Sequence, residues 1–270
     1  MIRLSSDYKK NVVLVTGASR GIGAATARKF AQQGHPIILT AREKPGLDSV
    51  AAEINAKGGT AHVIQADLSG SKKAKKFIQN VLQRHPDVCA AVLSAGVAIE
   101  GAVTDRDPES FFEEFEVNYF APVAIARELA LHWMRNKKSG SIIAVSSVTS
   151  TIPFPGHANY GATKAALNQM LRNMRIEIAS ANKIHIGIVM PGYTETAMTK
   201  DLESLLPGST PEFIAETVWD SFNQEILESI AGLDNKVVAS MFRFFPALSD
   251  KILRFSASAL IPRKKTDQEN

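Results

Sequence analysis

The sequence predicts an α/β chain whose strands form a single doubly wound parallel sheet flanked by helices. Three observations carry that prediction. Strand-like and helix-like segments alternate along the first two-thirds of the chain. Several strand-like runs are apolar almost throughout, namely Val12-Val13-Leu14-Val15, Ile37-Ile38-Leu39 and Ile142-Ile143-Ala144-Val145. Runs without polar alternation suit strands covered on both faces. At 270 residues the chain also fits one large unit better than two small ones.

Taken in order, a short β-branched run from Asn11 to Thr16 ends at glycine and begins the series. A helical pattern from Ile22 to Gln33 stops at Gly34, a common helix terminator. Pro36 to Ala41 reads as strand, Leu47 to Lys57 as helix, Ala61 to Ala66 as strand, and Lys72 to Arg84 as helix, halted before Pro86. Val88 to Ser94 is a fourth strand, Glu109 to Asn136 a long helical stretch, Ser141 to Ser147 a fifth strand, Asn159 to Ala179 a helix, and Ile184 to Met190 a sixth strand. After Met190 the rhythm changes. Residues 191–211 are rich in Gly, Thr, Ser and Pro and read as a loop, Pro211 to Ile230 as helix, and Asn235 to Ser240 as a last strand. The expected organisation is a domain over residues 1–234, with a lid at about 193–213, and a C-terminal extension over 235–270 packed on it.

Composition narrows the function classes. Apolar residues make up 45% and charged residues 21%, as in an ordinary globular protein. The net charge of +4 is modest. The basic clusters Lys72, Lys73, Lys75, Lys76 and Arg263, Lys264, Lys265 have no interleaved aromatics, so they read as solvated faces and no nucleic-acid partner is expected. The one cysteine, Cys89, excludes an internal disulfide and reads as a buried small hydrophobe. Six scattered histidines have no ligand-like spacing, so no metal is expected. The polar first ten residues and the lack of about 18 continuous apolar residues argue for a cytoplasmic protein.

Strand one runs into Thr16-Gly17-Ala18-Ser19-Arg20-Gly21-Ile22-Gly23. Glycine permits unusual backbone angles and close approach of a ligand to the main chain. The helix that starts there turns its free N–H groups and positive dipole end toward a bound pyrophosphate. Position after the first strand of an α/β series gives the turn its weight. The spacing is Gly-x-x-x-Gly-x-Gly, and here the chain resembles the short-chain dehydrogenase/reductase family. Thr16, Gly17, Gly21 and Gly23 match that family's turn residue by residue. The resemblance implies a Rossmann-like fold, a nicotinamide cofactor and oxidoreductase activity between a carbonyl and an alcohol.

The second strand ends in Thr40-Ala41-Arg42, without the carboxylate that commonly holds an NAD ribose 2′-hydroxyl. A 2′-phosphate is attracted by guanidinium groups. Arg20 and Arg42 therefore favour NADP(H), with NAD(H) as the lesser option. Asp67, before Leu68, has two readings: in the family such an aspartate bonds the adenine edge, and otherwise it caps the following helix. Leu93-Ser94-Ala95-Gly96 is similar to the family's Asn-Ala-Gly, with Ser94 in place of asparagine. Small Ala95 and Gly96 let a cofactor lie close to the backbone.

Tyr160 and Lys164 stand four apart in Tyr160-Gly161-Ala162-Thr163-Lys164 and so share a helix face. A nearby ammonium favours the phenolate and is expected to bring the phenol toward neutrality. A phenol so tuned can protonate a carbonyl oxygen or deprotonate an alcohol. Ser147 stands thirteen positions before Tyr160, beside Ser146. Successive strand side chains point to opposite faces, so one serine is expected at the site, and the family spacing selects Ser147. Asn118 interrupts the long fourth helical stretch, where asparagine is a mediocre helix former. The resemblance makes Asn118, Ser147, Tyr160 and Lys164 a catalytic tetrad, with Asn118 at a backbone break that anchors a water next to Lys164. It also implies that Pro191, Gly192, Thr194 and Thr196, in the Pro-Gly-x-x-x-Thr pattern, hold the nicotinamide carboxamide.

Met198, Leu202, Leu205 and Leu206 would give the lid an apolar inner face, with Val97 and Phe154 on the pocket floor. A hydrophobic carbonyl or alcohol substrate is therefore expected. The family pairs chains through its fourth and fifth helices, and the small residues Ala162, Ala165 and Ala166 suit a homodimer or homotetramer. The tail with Phe242, Phe244, Phe245 and Leu248 departs from common members. It has three readings: a cap on the pocket, an oligomer contact, or a contact with a membrane surface. Two non-catalytic alternatives are a silent NADP(H)-binding sensor and a lipid-surface scaffold. The complete tetrad argues against the sensor, which has no need of a tuned phenol.

Overall fold

In the computed structural model, the described residues are 11–179, 183–196 and 208–260, and the side chains of 255–260 are outside the description. Seven strands form one parallel sheet in the order β3-β2-β1-β4-β5-β6-β7. They are β1 (Val12–Thr16), β2 (Ile37–Thr40), β3 (Ala61–Val63), β4 (Val88–Leu93), β5 (Gly140–Val145), β6 (Ile184–Met190) and β7 (Glu228–Ile230). The helices are α1 (Gly21–Gln32), α2 (Lys44–Ala56), α3 (Ser71–Arg84), α4 (Glu109–Phe115), α5 (Ala121–Arg135), α6 (Ala158–Glu177), α7 (Pro211–Asn223), α8 (Leu233–Phe244) and α9 (Pro246–Leu260).

The apolar strands divide their side chains between two cores, because strand residues alternate faces. Val12 and Leu14 join α3, α5 and α6 through Phe77, Ile78, Ile125, Trp133, Leu167 and Leu171. Val13 and Val15 join α1, α2 and α7 through Phe30, Leu47, Ile54, Val218 and Phe222. The expected two-sided cover of a doubly wound sheet is what the chain adopts. β1 pairs in parallel with both β2 and β4, and the connections leave it in opposite directions. A crevice therefore opens beyond the carboxyl end of β1, where such sheets take ligands.

Two expectations are corrected. The predicted last strand at Asn235–Ser240 is part of helix α8, where Asn235 and Ala239 turn inward four residues apart. The predicted helix from Pro211 to Ile230 ends at Asn223, and Glu228–Ile230 leaves it to pair with β6. The edge position of β7 explains the misreading, since only its inner side pairs and the short run carries no alternation. The break expected at Asn118 in the long fourth helical stretch is a π-helical turn, Glu116–Phe120, between α4 and α5.

His185 on β6 is buried, and neither ring nitrogen has a hydrogen-bond partner. Burial pushes its pKa down to about 4, and the Arg175 charge adds to the shift. The unfolded chain then binds the proton more readily, so stability is fully present above about pH 6.5 and is lost as pH falls through about 4. Equilibrium urea unfolding from pH 7 to pH 4 should show this decline, and His185→Leu should flatten it. An equally steep acid limb in the variant would assign it to other groups.

Candidate active site

The crevice is built on the glycine turn after β1. Gly17 has φ +68°, and a Cβ there would lie 2.8 Å from the Ala95 backbone. A Cβ at Gly23 would lie 2.3 Å from the Gly17 carbonyl oxygen. Neither position has room for a side chain. Thr16 ties this turn to the end of β4: its hydroxyl accepts from the backbone N–H groups of Ser94 (3.0 Å) and Ala95 (3.1 Å). Helix α1 begins at Gly21 with no side-chain cap, which leaves its first N–H groups for a ligand in the crevice.

One cleft gathers the residues singled out in the sequence for cofactor binding. Its lining includes Gly17, Ser19, Arg20, Gly21, Ile22 and Gly23 from the first turn. Arg42, Asp67, Leu68, Ser94, Ala95 and Gly96 follow from the ends of β2, β3 and β4. Ser147, Tyr160, Lys164, Pro191, Gly192, Thr194 and Thr196 complete the far end. Ala41, Glu43, Ala66, Ser69, Val97, Val117, Val145 and Ser146 also line it. Phe154, expected on the floor, is not among the lining residues and packs its ring on His157, 5.4 Å between centroids. The lid residues Met198, Leu202, Leu205 and Leu206 lie outside the described residues.

Asp67 does not cap α3. Its oxygens accept from the Ser69 backbone N–H (3.0 Å) and hydroxyl (2.8 Å), and it pairs with Lys73. These contacts pull its pKa down to about 2. Gly70, with φ +91°, takes the cap position instead. Asp67 is thereby an ionised acceptor on the rim beside the ends of β2 and β3.

The inner end of the cleft brings three of the four tetrad positions against one another. Ser147 follows β5 at the start of a short 3₁₀ turn, and its hydroxyl accepts from the Thr149 backbone N–H (3.2 Å) and hydroxyl (2.9 Å). Gly161 lets α6 come down onto that turn, since a Cβ there would lie 2.7 Å from the Thr149 carbonyl oxygen. That approach brings Tyr160, on α6, and Ser147 into the lining of the same cleft. Both serines line the cleft, but the Ser146 hydroxyl is buried without a partner. Lys164 is buried, donates to the Val145 carbonyl at 3.0 Å and lies 5.6 Å from the Tyr160 ring centroid.

Asn118 sits in the π-helical turn, fully buried, behind the cleft wall. Its side chain accepts from the Val97 N–H (2.9 Å) and donates to the Val97 carbonyl (2.8 Å) and the Thr163 hydroxyl (3.2 Å). Thr163 in turn donates to the Tyr160 carbonyl at 2.7 Å. Asn118 thus clamps the segment after β4 to the helix that carries Tyr160 and Lys164. The interruption of the helix that the sequence placed at this asparagine is a register shift of the backbone.

The direction of the Tyr160 shift runs opposite to the sequence expectation. Burial pushes the Tyr160 phenol up to about 12, the Ser147 hydrogen bond pulls it down, and the Glu114 charge pushes it up. Burial pushes Lys164 down to about 8. Desolvation disfavours the ionic form of both groups, and here it outweighs the attraction between ammonium and phenolate that the helical spacing suggested.

Glu114 and Arg106 are functional neighbours that the sequence reading missed. Glu114 is fully buried and pairs with buried Arg106 at 2.7 Å. It also accepts from the Asn159 amide (2.6 Å) and the Ile99 N–H (3.1 Å). This node fastens the 97–106 segment and α4 to the residue before Tyr160. Its sequence signal is slight: a glutamate four positions before Asn118 and an arginine in a loop. Asn235 was read as strand. It lies buried under Gly192, where a Cβ would come 2.1 Å from its Oδ1, and its amide donates to the Ala231 carbonyl at 2.8 Å. Cys89 is buried and its thiol is pushed up to about 12, which makes it inert. Among the described residues no cluster of His, Cys, Asp and Glu can hold a metal, and no helix is long and apolar enough to cross a membrane.

The sheet order and the uncapped glycine turn at its crossover define a Rossmann-type nucleotide-binding protein. The chain belongs to the short-chain dehydrogenase family, whose model matches residues 11–206. An uncharacterized oxidoreductase of Methylorubrum extorquens is 32% identical over 214 residues, spanning 76% of this chain and 85% of its own. Dehydrogenase/reductase SDR family member 7B of Danio rerio is 28% identical and spans 99% of this chain and 91% of its own. The solved short-chain dehydrogenase of Sphingobium yanoikuyae in complex with NADPH superposes with a TM-score of 0.77 at 26% identity. That superposition covers 96% of this chain and 100% of the other.

Removing one partner of the buried Glu114–Arg106 pair strands a charge. Arg106→Met should cost about 3–5 kcal/mol in urea unfolding. Adding Glu114→Gln should recover part of the loss by removing the stranded charge. A double variant no better than the single would show that packing, and not charge, sets the cost.

Proposed function

We propose that this protein is an NADP(H)-dependent oxidoreductase that interconverts a carbonyl and an alcohol on a hydrophobic substrate, with Tyr160 as its acid–base residue. The observation that carries the reading is the gathering of Ser147, Tyr160 and buried Lys164 at the inner end of one cleft, with Tyr160 and Lys164 on the same helix. The cleft is a cradle in which Gly17 and Gly23 leave no space for side chains and the start of α1 offers N–H groups. That is the form a pyrophosphate needs.

When bound, the nicotinamide supplies or accepts hydride at the substrate carbon. The protein's residues do the rest. Arg20 and Arg42 are exposed cations on the rim, arranged to grip a 2′-phosphate, while Glu43 stands on the same rim as a counterweight. Asp67 offers an ionised acceptor to an adenine amine. Ser147 orients the substrate oxygen toward the phenol. Tyr160 remains protonated at neutral pH because its pKa lies far above it, so it can donate a proton to a carbonyl oxygen. Lys164 holds the ribose end and returns a proton to the phenol, with Asn118 fixing the wall between them. Thr194 and Thr196 bind the carboxamide.

The lid at 193–213 and the extension at 235–270 on the 1–234 domain belong to the same reading. The ends of the lid are joined, since Glu195 donates to the Ser209 carbonyl (3.0 Å) and Ser209 to that of Tyr193 (2.9 Å). Val97 supplies apolar surface to the same cleft.

NADPH oxidation against a panel of aliphatic and aromatic ketones tests the reaction. Tyr160→Phe should lower kcat/KM by about 10²–10⁴-fold while NADPH affinity changes less than about twofold. Equal turnover in variant and wild type would remove Tyr160 from the chemistry. Separately, Arg20→Ala with Arg42→Ala should weaken NADPH binding by about tenfold or more and leave NADH binding nearly unchanged, as titration by fluorescence would record. Equal losses for both cofactors would overturn the 2′-phosphate assignment.

A further inference from the structure

Helices α8 and α9 carry apolar side chains on the face turned away from the sheet. On α8, Asn235 and Ala239 point inward and are buried. The opposite stripe, at helical spacing, is Leu233, Val237 and Phe244, exposed by 77%, 62% and 69%. Phe245 at the corner and Leu248 and Ile252 on α9 continue the apolar surface, while Ser249 on the other side of α9 is buried. A helix that faces only water presents polar residues outward. Helix α3 does so, with Lys72, Lys73, Lys75 and Lys76 among its exposed positions.

The border of the apolar stripe carries more cations than anions. At 3.6 residues per turn, Lys236 and Arg243 flank the α8 stripe on one side, with Asp234 on the other, and Lys251 adjoins Leu248 and Ile252 on α9. Arg254 is paired with Asp250 at 2.7 Å. The chain after α9 continues with Arg263, Lys264 and Lys265. Exposed phenylalanine and branched aliphatics edged by cations form the pattern of helices that lie in the headgroup layer of a bilayer. An antiparallel twofold contact with a second copy would set the cationic edge of α8 against itself.

We propose that the outer face of α8 and α9 docks this protein on an anionic phospholipid surface, with Phe244, Phe245, Leu248 and Ile252 inserted among the headgroups and Lys236, Arg243 and Lys251 against their phosphates. The proposal does not depend on the oxidoreductase reading.

Flotation of the full chain with phosphatidylcholine vesicles, with and without 30% phosphatidylglycerol, tests it, with the vesicle composition serving as the probe. The wild type should float with the anionic vesicles and much less with the neutral ones. Phe244→Ser with Phe245→Ser should reduce the partition coefficient at least tenfold. Lys236→Gln, Arg243→Gln and Lys251→Gln should each reduce it by about fivefold. All these side chains are exposed, and thermal melts check that each variant is folded. In the wild type, amide exchange over residues 233–254 should slow on anionic vesicles, which needs no variant. Absence of flotation, unchanged flotation of the phenylalanine double variant, or unchanged exchange would overturn the proposal. So would light scattering in which those variants convert a dimer to a monomer while vesicle binding stays the same, since that outcome assigns the face to a second copy.

Discussion

The cleft depends on how closely the end of β1 approaches the end of β4. One hydroxyl sets that distance. Thr16 accepts two backbone N–H groups from the β4 exit, so the glycine turn is held against Ala95 with no space for a Cβ at Gly17. A buried hydroxyl with paired partners is favourable, whereas the same N–H groups left unpaired would each carry a desolvation cost of about 1–3 kcal/mol. The close approach and the pairing therefore support each other. They expose the start of α1 at the point where the sheet's connections part.

At the other end of the cleft, burial is the governing term. Tyr160 and Lys164 are both displaced toward their neutral forms. Glu114 is a fully buried carboxylate in their vicinity, held by Arg106, Asn159 and the Ile99 N–H. The electrostatics of this pocket is thus a property of the packed segments after β4 and before α6, and a pair of residues on one helix does not determine it alone.

Much of the fold was legible, because strands buried on both faces leave unbroken apolar runs and helix ends leave glycines. The glycine turn and Ser147 were equally readable because they follow strand ends, and Tyr160 and Lys164 because they stand one turn apart on a helix. What escaped was non-local. β7 is a three-residue edge strand whose identity comes from pairing with β6. Asn235 looked like part of a strand because its neighbours Val237 and Val238 are β-branched, yet those residues sit on a helix. The role of Glu114 arises only when α4, α6 and the 97–106 segment meet. The shift of Tyr160 was misjudged because helical spacing reports nearness and says nothing of desolvation.

Asn235 fills the space directly behind Gly192, and it belongs to α8, beyond the residues 11–206 that the family model matches. The rear wall of the Pro191–Gly192 loop is therefore furnished by the chain's last quarter. Trimming the protein back to residues 11–206 would not yield a smaller equivalent of it. It would leave a hole of side-chain size behind a loop that lines the cleft. Helix α8 is a part of the cleft's architecture that is made late in the chain.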